Sequence, residues 1–139
     1  MNKKLNLTTI KDCTILDIPK IIDTRGNLAV LENGFLPFDT KRVYYLYNVP
    51  AGAYRGGHAH IRQSEFLIAI SGSFQVIVDD GIAKKSFILN RPDKGLLLPT
   101  GIWRELKDFS QGSVCLVLNS GLFDENDYIR NYDDFLNIK

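Results

Sequence analysis

Short apolar stretches separated by turn residues fill most of the chain. Phe74, Val76 and Val78 alternate with Gln75 and Ile77, the period of two that puts one set of side chains on a single sheet face. The same criterion predicts strands over Cys13–Ile18, Asn27–Glu32, Arg42–Asn48, His58–Ile61, Phe66–Ser71, Ser73–Asp79, Ala83–Leu89, Gly95–Leu98, Ile102–Phe109 and Ser113–Asn119. Asp79-Asp80-Gly81 supplies turn chemistry for a hairpin, and Pro92, Gly95, Pro99 and Gly101 punctuate the later strands. Many short strands at this spacing predict an all-β sandwich or barrel. From Asp124 the pattern changes. Tyr128, Ile129, Tyr132, Phe135 and Leu136 fall on one face of a helix, and Asp124, Glu125 and Asp127 suit its positive end. Residues 124–138 are therefore expected to form one or two short helices on the barrel, with Tyr128 and Tyr132 paired at i, i+4 in packing.

Length and composition narrow the field. A chain of 139 residues with 45% hydrophobic content fits one domain, residues 1–139, around a single core. No apolar run approaches the ~20 residues that span a bilayer. The start carries two lysines and no apolar stretch of signal length, which points to the cytoplasm. Cys13 and Cys115 are too few for a disulfide framework, and Cys115 lies in an apolar run. Net charge is +1 with no basic stripe, so neither nucleic acid nor membrane is expected as a partner and a small ligand fits better. Lys84-Lys85 reads as a solvated strand edge. Trp103 faces away from its neighbour Arg104 and suits the core or a subunit contact.

The chemistry concentrates in one segment. Gly52 is followed after five residues by His58-Ala59-His60, after four more by Glu65, and after six more by Gly72. His58 and His60 are the chain's two histidines, and at i, i+2 of a strand they project to the same face. Arg55-Gly56-Gly57 before them suits a sharp bend or close backbone approach. This spacing is the first motif of the cupin superfamily, whose metal-binding members add a fourth ligand, a histidine, from a second motif. Here that motif reads Pro99-Thr100-Gly101-Ile102-Trp103-Arg104. Arginine keeps its proton and its charge repels a cation, so no metal is expected, and Glu65 becomes a pocket carboxylate or hydrogen-bond partner.

The chain as a whole resembles the WxcM-like sugar 3,4-ketoisomerase family of cupins. The resemblance rests on Pro19–Leu28, Pro37–Tyr45, Arg55–His60, Gly72-Ser73, Asp79–Gly81, Gly101–Glu105 and Asp124–Tyr132, in order from about residue 15 to the end. It implies a double-stranded β-helix, a jelly-roll barrel, and an isomerase without metal or organic cofactor. Such an enzyme moves the keto group of dTDP-4-dehydro-6-deoxyglucose from C4 to C3 by base-mediated proton transfer through an enediol. The product is an amino-sugar precursor for O-antigen, lipopolysaccharide or S-layer glycans. It also implies a homodimer, with N-terminal strands exchanged between subunits. By carry-over His58 resembles the base, His60 its neighbour in the pocket, and Tyr44 the tyrosine that holds a sugar hydroxyl. Arg25, Arg42, Arg55, Gln63, Glu65 and Arg104 fall at substrate-binding positions, Arg42 toward the diphosphate. Whether His58 or His60 is the sole base, and whether the product is gluco or galacto at C4, stays open at this level. A dTDP-4-dehydrorhamnose 3,5-epimerase-like activity and a non-catalytic sugar-nucleotide-binding cupin are the competing readings.

Overall fold

The computed structural model describes residues 7–139; residues 1–6, part of the stretch weighed above for a signal, lie outside the described residues. Twelve strands follow in order: β1 Thr14–Asp17, β2 Lys20–Ile21, β3 Leu28–Ala29, β4 Arg42–Tyr47, β5 Arg55–His60, β6 Glu65–Ser71, β7 Phe74–Asp79, β8 Lys84–Leu89, β9 Lys94–Leu98, β10 Trp103–Lys107, β11 Val114–Asn119 and β12 Tyr128–Ile129. One helix, α1 Tyr132–Ile138, closes the chain. Two five-stranded antiparallel sheets, ordered β1-β9-β6-β11-β4 and β12-β5-β10-β7-β8, enclose the core, and β2-β3 forms a separate ribbon. This is the barrel that the alternation predicts. No helix among the described residues is long and apolar enough to cross a membrane.

The period of two decides what lies inside. Leu67 and Ala69 on β6, Val76 and Val78 on β7, Leu106 on β10 and Cys115 and Val117 on β11 form one buried apolar cluster. The intervening residues Phe66, Ile68 and Leu118 point outward, where they pack with Leu31, Phe35, Leu36 and Phe38 from the irregular segment after β3. That covering segment is why the predicted strand Asn27–Glu32 shrinks to Leu28–Ala29. Its apolar residues serve as a lid over a sheet face and pair with no strand. On the other sheet, Ala59 and Trp103 face outward under Phe135 of α1, so Trp103 is core. Asp79-Asp80-Gly81 makes the β7–β8 turn, with Asp79 Oδ1 accepting the Gly81 N–H at 2.7 Å. Lys84 and Lys85 lie on β8, an edge strand.

The end of the chain departs from the helix expected over 124–138. Glu125–Asp127 is a 3-10 turn capped by Asp124, Tyr128–Ile129 is a strand, and α1 starts only at Tyr132. Asn131 accepts the Asp134 N–H at 3.0 Å and is the true helix cap. Tyr128 pairs with His60 in the β12–β5 register. It therefore belongs to the barrel wall and shares no helical face with Tyr132.

Gly95 on β9 shows how tightly the covered sheet face is packed. A Cβ there would meet the Phe66 ring at 2.2 Å. Gly95→Ala is expected to cost about 1–3 kcal/mol through overpacking, read as a lower urea midpoint at unchanged m-value.

Candidate active site

The inward-facing residues divide the barrel into an apolar end and a polar end. On β6 Glu65 precedes Leu67 and Ala69, and on the antiparallel neighbour β11 Asn119 faces Glu65 while Val117 faces Leu67. Arg104 on β10 lies between His58 of β5 and Val78 of β7. Tyr44 on β4 faces Val117. Strands from both sheets thus bring Tyr44, His58, His60, Glu65, Arg104 and Asn119 to one end of the interior.

At the centre is a carboxylate. Glu65 is 2% exposed. Its Oε1 accepts from Arg104 Nη1 at 2.5 Å, and its Oε2 accepts from Tyr44 Oη at 2.6 Å and Asn119 Nδ2 at 2.9 Å. His60 Nε2 lies 3.6 Å from Oε1. Burial opposes the charge, but His60, the Arg104 guanidinium and the Tyr44 hydroxyl outweigh it and hold the carboxyl below its usual range. Burial, followed by the charge and hydrogen bond of Glu65, pushes the Tyr44 hydroxyl far up. Tyr44 therefore stays protonated with its hydrogen committed to Glu65, leaving its lone pairs for a ligand hydroxyl.

His58 is set in place by a bulge. Arg104 pairs with His58 while Leu106 pairs with Arg55, so β5 carries one more residue than β10 across that interval. Gly56 and Gly57, at φ 92° and 28°, absorb it. The distortion places the Gly56 carbonyl against His58 Nδ1. A carbonyl only accepts, so Nδ1 carries the hydrogen and Nε2 is the bare nitrogen. Nε2 makes no hydrogen bond. Burial, then the Arg104 guanidinium and the neighbouring His60 ring, lower the His58 pKa to about 3. His58 is a neutral imidazole with a free lone pair.

A cavity of about 450 Å³ opens onto this nitrogen's residue. Its walls include Arg42, Tyr44 and Leu46 from β4, Arg55, Gly56 and His58 from β5, and Phe123, Tyr128 and Arg130 from the C-terminal segment. The Arg42 guanidinium lies 5.3 Å from the Tyr44 ring centre and 5.7 Å from that of Phe123, and Arg130 lies 4.2 Å over Tyr128. The mouth is thus cationic and aromatic, suited to a phosphorylated ligand with a planar base or a sugar ring.

The residues expected at the site fall into distinct groups. His58, Tyr44, Arg42 and Arg55 line the cavity. His60, Glu65 and Arg104 do not line it. They are 0%, 2% and 1% exposed and form the layer behind it, where the Arg104–Glu65 pair makes burial of both charges tolerable. Gln63 is also set back. It accepts from Arg42 Nη2 at 3.0 Å and donates to the Leu122 carbonyl at 2.8 Å, so it aims Arg42 from behind. Arg25 lies outside the cavity of this chain, on the β2–β3 loop, where it binds Asp23 at 2.8 Å with its side chain 88% exposed. The sequence reading missed Asp127, Phe123 and Arg130 as site residues and placed Tyr128 first in packing. All four follow Asn119 in the chain, and the helical assignment from Asp124 hid the strand that carries Tyr128 into the wall.

Donor atoms of His58, His60 and Glu65 lie within 4.8 Å of one another. The donor set does not fit a metal ion. Arg104 already donates to Glu65 at 2.5 Å, and its fixed positive charge stands where a fourth ligand would be needed.

Together, the double-sheet barrel and an interior His-x-His strand beside a sugar-sized cavity define a cupin-type isomerase. Residues 11–139 match the family model described as FdtA: WxcM-like, C-terminal, and the chain belongs to that family. A TDP-4-oxo-6-deoxy-alpha-D-glucose-3,4-oxoisomerase from Aneurinibacillus thermoaerophilus is 43% identical over 122 residues, 87% of this chain and 88% of the relative. The WlaRB TDP-quinovose 3,4-ketoisomerase from Campylobacter jejuni superposes with TM-score 0.87 at 46% identity, covering 91% of this chain and 98% of its own. The 3,4-ketoisomerase QdtA from Thermoanaerobacterium thermosaccharolyticum, solved as a histidine-to-asparagine variant with TDP-4-keto-6-deoxyglucose, gives TM-score 0.88 at 37% identity, covering 90% and 91%. A dTDP-4-dehydrorhamnose 3,5-epimerase from Bacillus anthracis shares the fold at TM-score 0.75 and 16% identity.

The depressed His58 pKa has a consequence for stability. Unfolded, the ring takes a proton near the ordinary imidazole value of 6.5; folded, it resists until about 3. Its contribution is therefore fully present above 6.5 and falls as pH drops from 6.5 toward 3, by at most ~1.4 kcal/mol per pH unit. The Glu65 contribution, from a carboxyl that ordinarily titrates near 4.5, is lost only at lower pH. Urea midpoints at about pH 7 and about pH 5 should differ by that slope in the native chain, and the difference should shrink in His58→Asn.

Proposed function

We propose that this chain interconverts the 4-keto and 3-keto forms of a dTDP-linked 6-deoxyhexose, with dTDP-4-dehydro-6-deoxyglucose as substrate. The observation that carries the reading is the unpartnered Nε2 of a neutral, cavity-facing His58. The hydrogen at C3 lies beside the C4 ketone and is acidified by it, so an imidazole of this kind can remove it. The electron pair moves into a C3–C4 enediolate. The hydroxyl proton on O3 passes to O4, and as the C3 carbonyl forms a proton is delivered to C4, which leaves the ketone at C3 and a hydroxyl at C4. Tyr44 accepts a sugar hydroxyl while its own hydrogen stays on Glu65. Arg42, Arg55 and Arg130 at the mouth meet the diphosphate. Arg104 Nη2, buried without a partner behind His58, supplies positive potential for the developing enediolate oxygen. No step calls for a metal or an organic cofactor.

The epimerase alternative is weaker, since its representative shares the fold at 16% identity while solved 3,4-ketoisomerases stand at 34% to 46%. The 3-keto product would be consumed by transamination on the way to a surface glycan. Free, buried Cys13 and Cys115 suit a reducing cytoplasm. We also propose a homodimer. Val43, Tyr45 and Tyr47, 56%, 59% and 61% exposed, form an apolar outer face on edge strand β4. Ile21, Ile22 and Leu28 on the β2–β3 ribbon are exposed as well. Within one chain β1 pairs with β9; strand exchange would make that pairing between subunits. Arg25, on the ribbon, would act at such a contact.

The test is an NMR time course with dTDP-4-dehydro-6-deoxyglucose in D₂O. The native chain should form the 3-keto isomer, with solvent deuterium entering at C3 or C4. His58→Asn should fold with native-like circular dichroism and lose activity by at least about 10²–10³-fold. Deuterium at C5, or an active His58→Asn, would overturn the reading; a thermal shift with dTDP but no turnover would reduce the chain to a binding protein.

A further inference from the structure

The C-terminal segment contributes a buried carboxylate that the proposed chemistry does not use. Asp127 is 1% exposed. Its Oδ1 accepts the Arg62 N–H at 2.7 Å, and its Oδ2 accepts the Gln63 N–H at 3.2 Å and lies 3.0 Å from His60 Nδ1. Both oxygens therefore face donors, and the ring nitrogen must itself donate. Asp127 thus fixes the hydrogen of His60 on Nδ1 and turns Nε2 to Glu65, 3.6 Å away. The next residue, Tyr128, lies against both imidazoles, with ring centres 4.9 Å from His58 and 4.5 Å from His60. The two imidazoles stand edge-on, 4.9 Å apart.

We propose that Asp127 is a positioning residue of the active site, holding His60 in one tautomer and orientation so that the Glu65–Arg104 pair and the His58 base keep their places. His60 is fully buried and carries no load on the cavity wall, so its influence on the reaction passes through Glu65 and the edge-on contact with His58. If its ring turned, Nδ1–H and Nε2 would exchange partners. Glu65 would then lose the support that His60 Nε2 gives its charge from 3.6 Å, shifting the balance of charges that keeps His58 neutral. The 3-10 turn before β12 is what presents Asp127. Asp124 accepts the Asn126 N–H at 3.0 Å, and the Asp127 carbonyl accepts the Ile61 N–H at 3.0 Å, tying the turn to the end of β5.

An asparagine at this position separates positioning from packing. It is nearly isosteric, but its amide must occupy one oxygen site. At the Oδ1 site it would face the Arg62 backbone N–H, which cannot change. At the Oδ2 site it gives up only the longer backbone contact, the Gln63 N–H at 3.2 Å, and faces His60, which can surrender its Nδ1 hydrogen and accept instead. Asp127→Asn is therefore expected to leave the fold in place and move the His60 hydrogen to Nε2.

The inference rests on the ketoisomerase reading for its kinetic consequence and on geometry alone for its spectroscopic one. With only two histidines in the chain, ¹⁵N-histidine labelling gives two imidazoles, assigned by comparison with His58→Asn. In the native protein His60 should show a slowly exchanging Nδ1–H, and Asp127→Asn should lose it. For the 4-keto sugar, kcat should fall by on the order of 10²-fold or more while KM stays within about threefold. A native His60 without Nδ1–H overturns the proposal and needs no variant. So does an Asp127→Asn chain that keeps Nδ1–H, or one that loses it at native kcat. A native chain inert toward the sugar but with the expected His60 signals supports the positioning and defeats the ketoisomerase reading.

Discussion

Glu65 is the residue on which the interior depends. A carboxylate buried to this degree is tolerable only if its charge is met on every side, and here four side chains from β4, β5, β10 and β11 converge on it. Those strands belong to both sheets, so one charge-compensated cluster pins the polar end of the barrel as the apolar cluster pins the other. The arrangement follows from alternation. Inward positions that carry Leu, Val or Ala at one end carry Tyr, His, Glu, Arg and Asn at the other, at the same period.

The chemistry is a consequence of that compensation. Arg104 consumes the Glu65 charge and adds a positive potential beside His58, which, after burial, is what keeps the imidazole neutral. A metal is kept out by the same guanidinium. The glycine bulge finishes the task by giving Nδ1 a carbonyl partner, so that the only lone pair left on the ring belongs to Nε2. Three nitrogens of this cluster, on His58, His60 and Arg104, are buried without hydrogen bonds. Leaving such groups unpaired costs about 1–3 kcal/mol each.

Much of this was legible in the chain itself. Period-two alternation located the core strands, and i, i+2 spacing put His58 and His60 on one face. The glycines before them marked the bend. Arg104 at the second motif marked a fixed positive charge beside the two histidines. What lay beyond reach was depth. Nothing in a one-dimensional pattern separates Tyr44 and His58, on the cavity wall, from His60, Glu65 and Arg104 behind it. That difference depends on which charges meet across sheets. Gln63 and Arg25 were out of reach for the same reason, since their partners within the chain, Arg42 for one and Asp23 for the other, are set by the fold. The C-terminal error was local. Tyr128 and Tyr132 fit a helical stripe, but Asn131 caps a helix that starts after it. Asp127, read as complementing a helix dipole, is instead a buried partner for His60.

The account stands on His58 being neutral, with its hydrogen on Nδ1 and its Nε2 free. The most direct measurement is the pH titration of the ring-nitrogen shifts of His58 in ¹⁵N-histidine-labelled protein. The account predicts the Nδ1–H tautomer with no titration from about pH 8 down to about pH 4.5, in keeping with a pKa of about 3. A His58 that titrates near ~6.5 as a solvent-exposed imidazole does, or one whose hydrogen sits on Nε2, would contradict it.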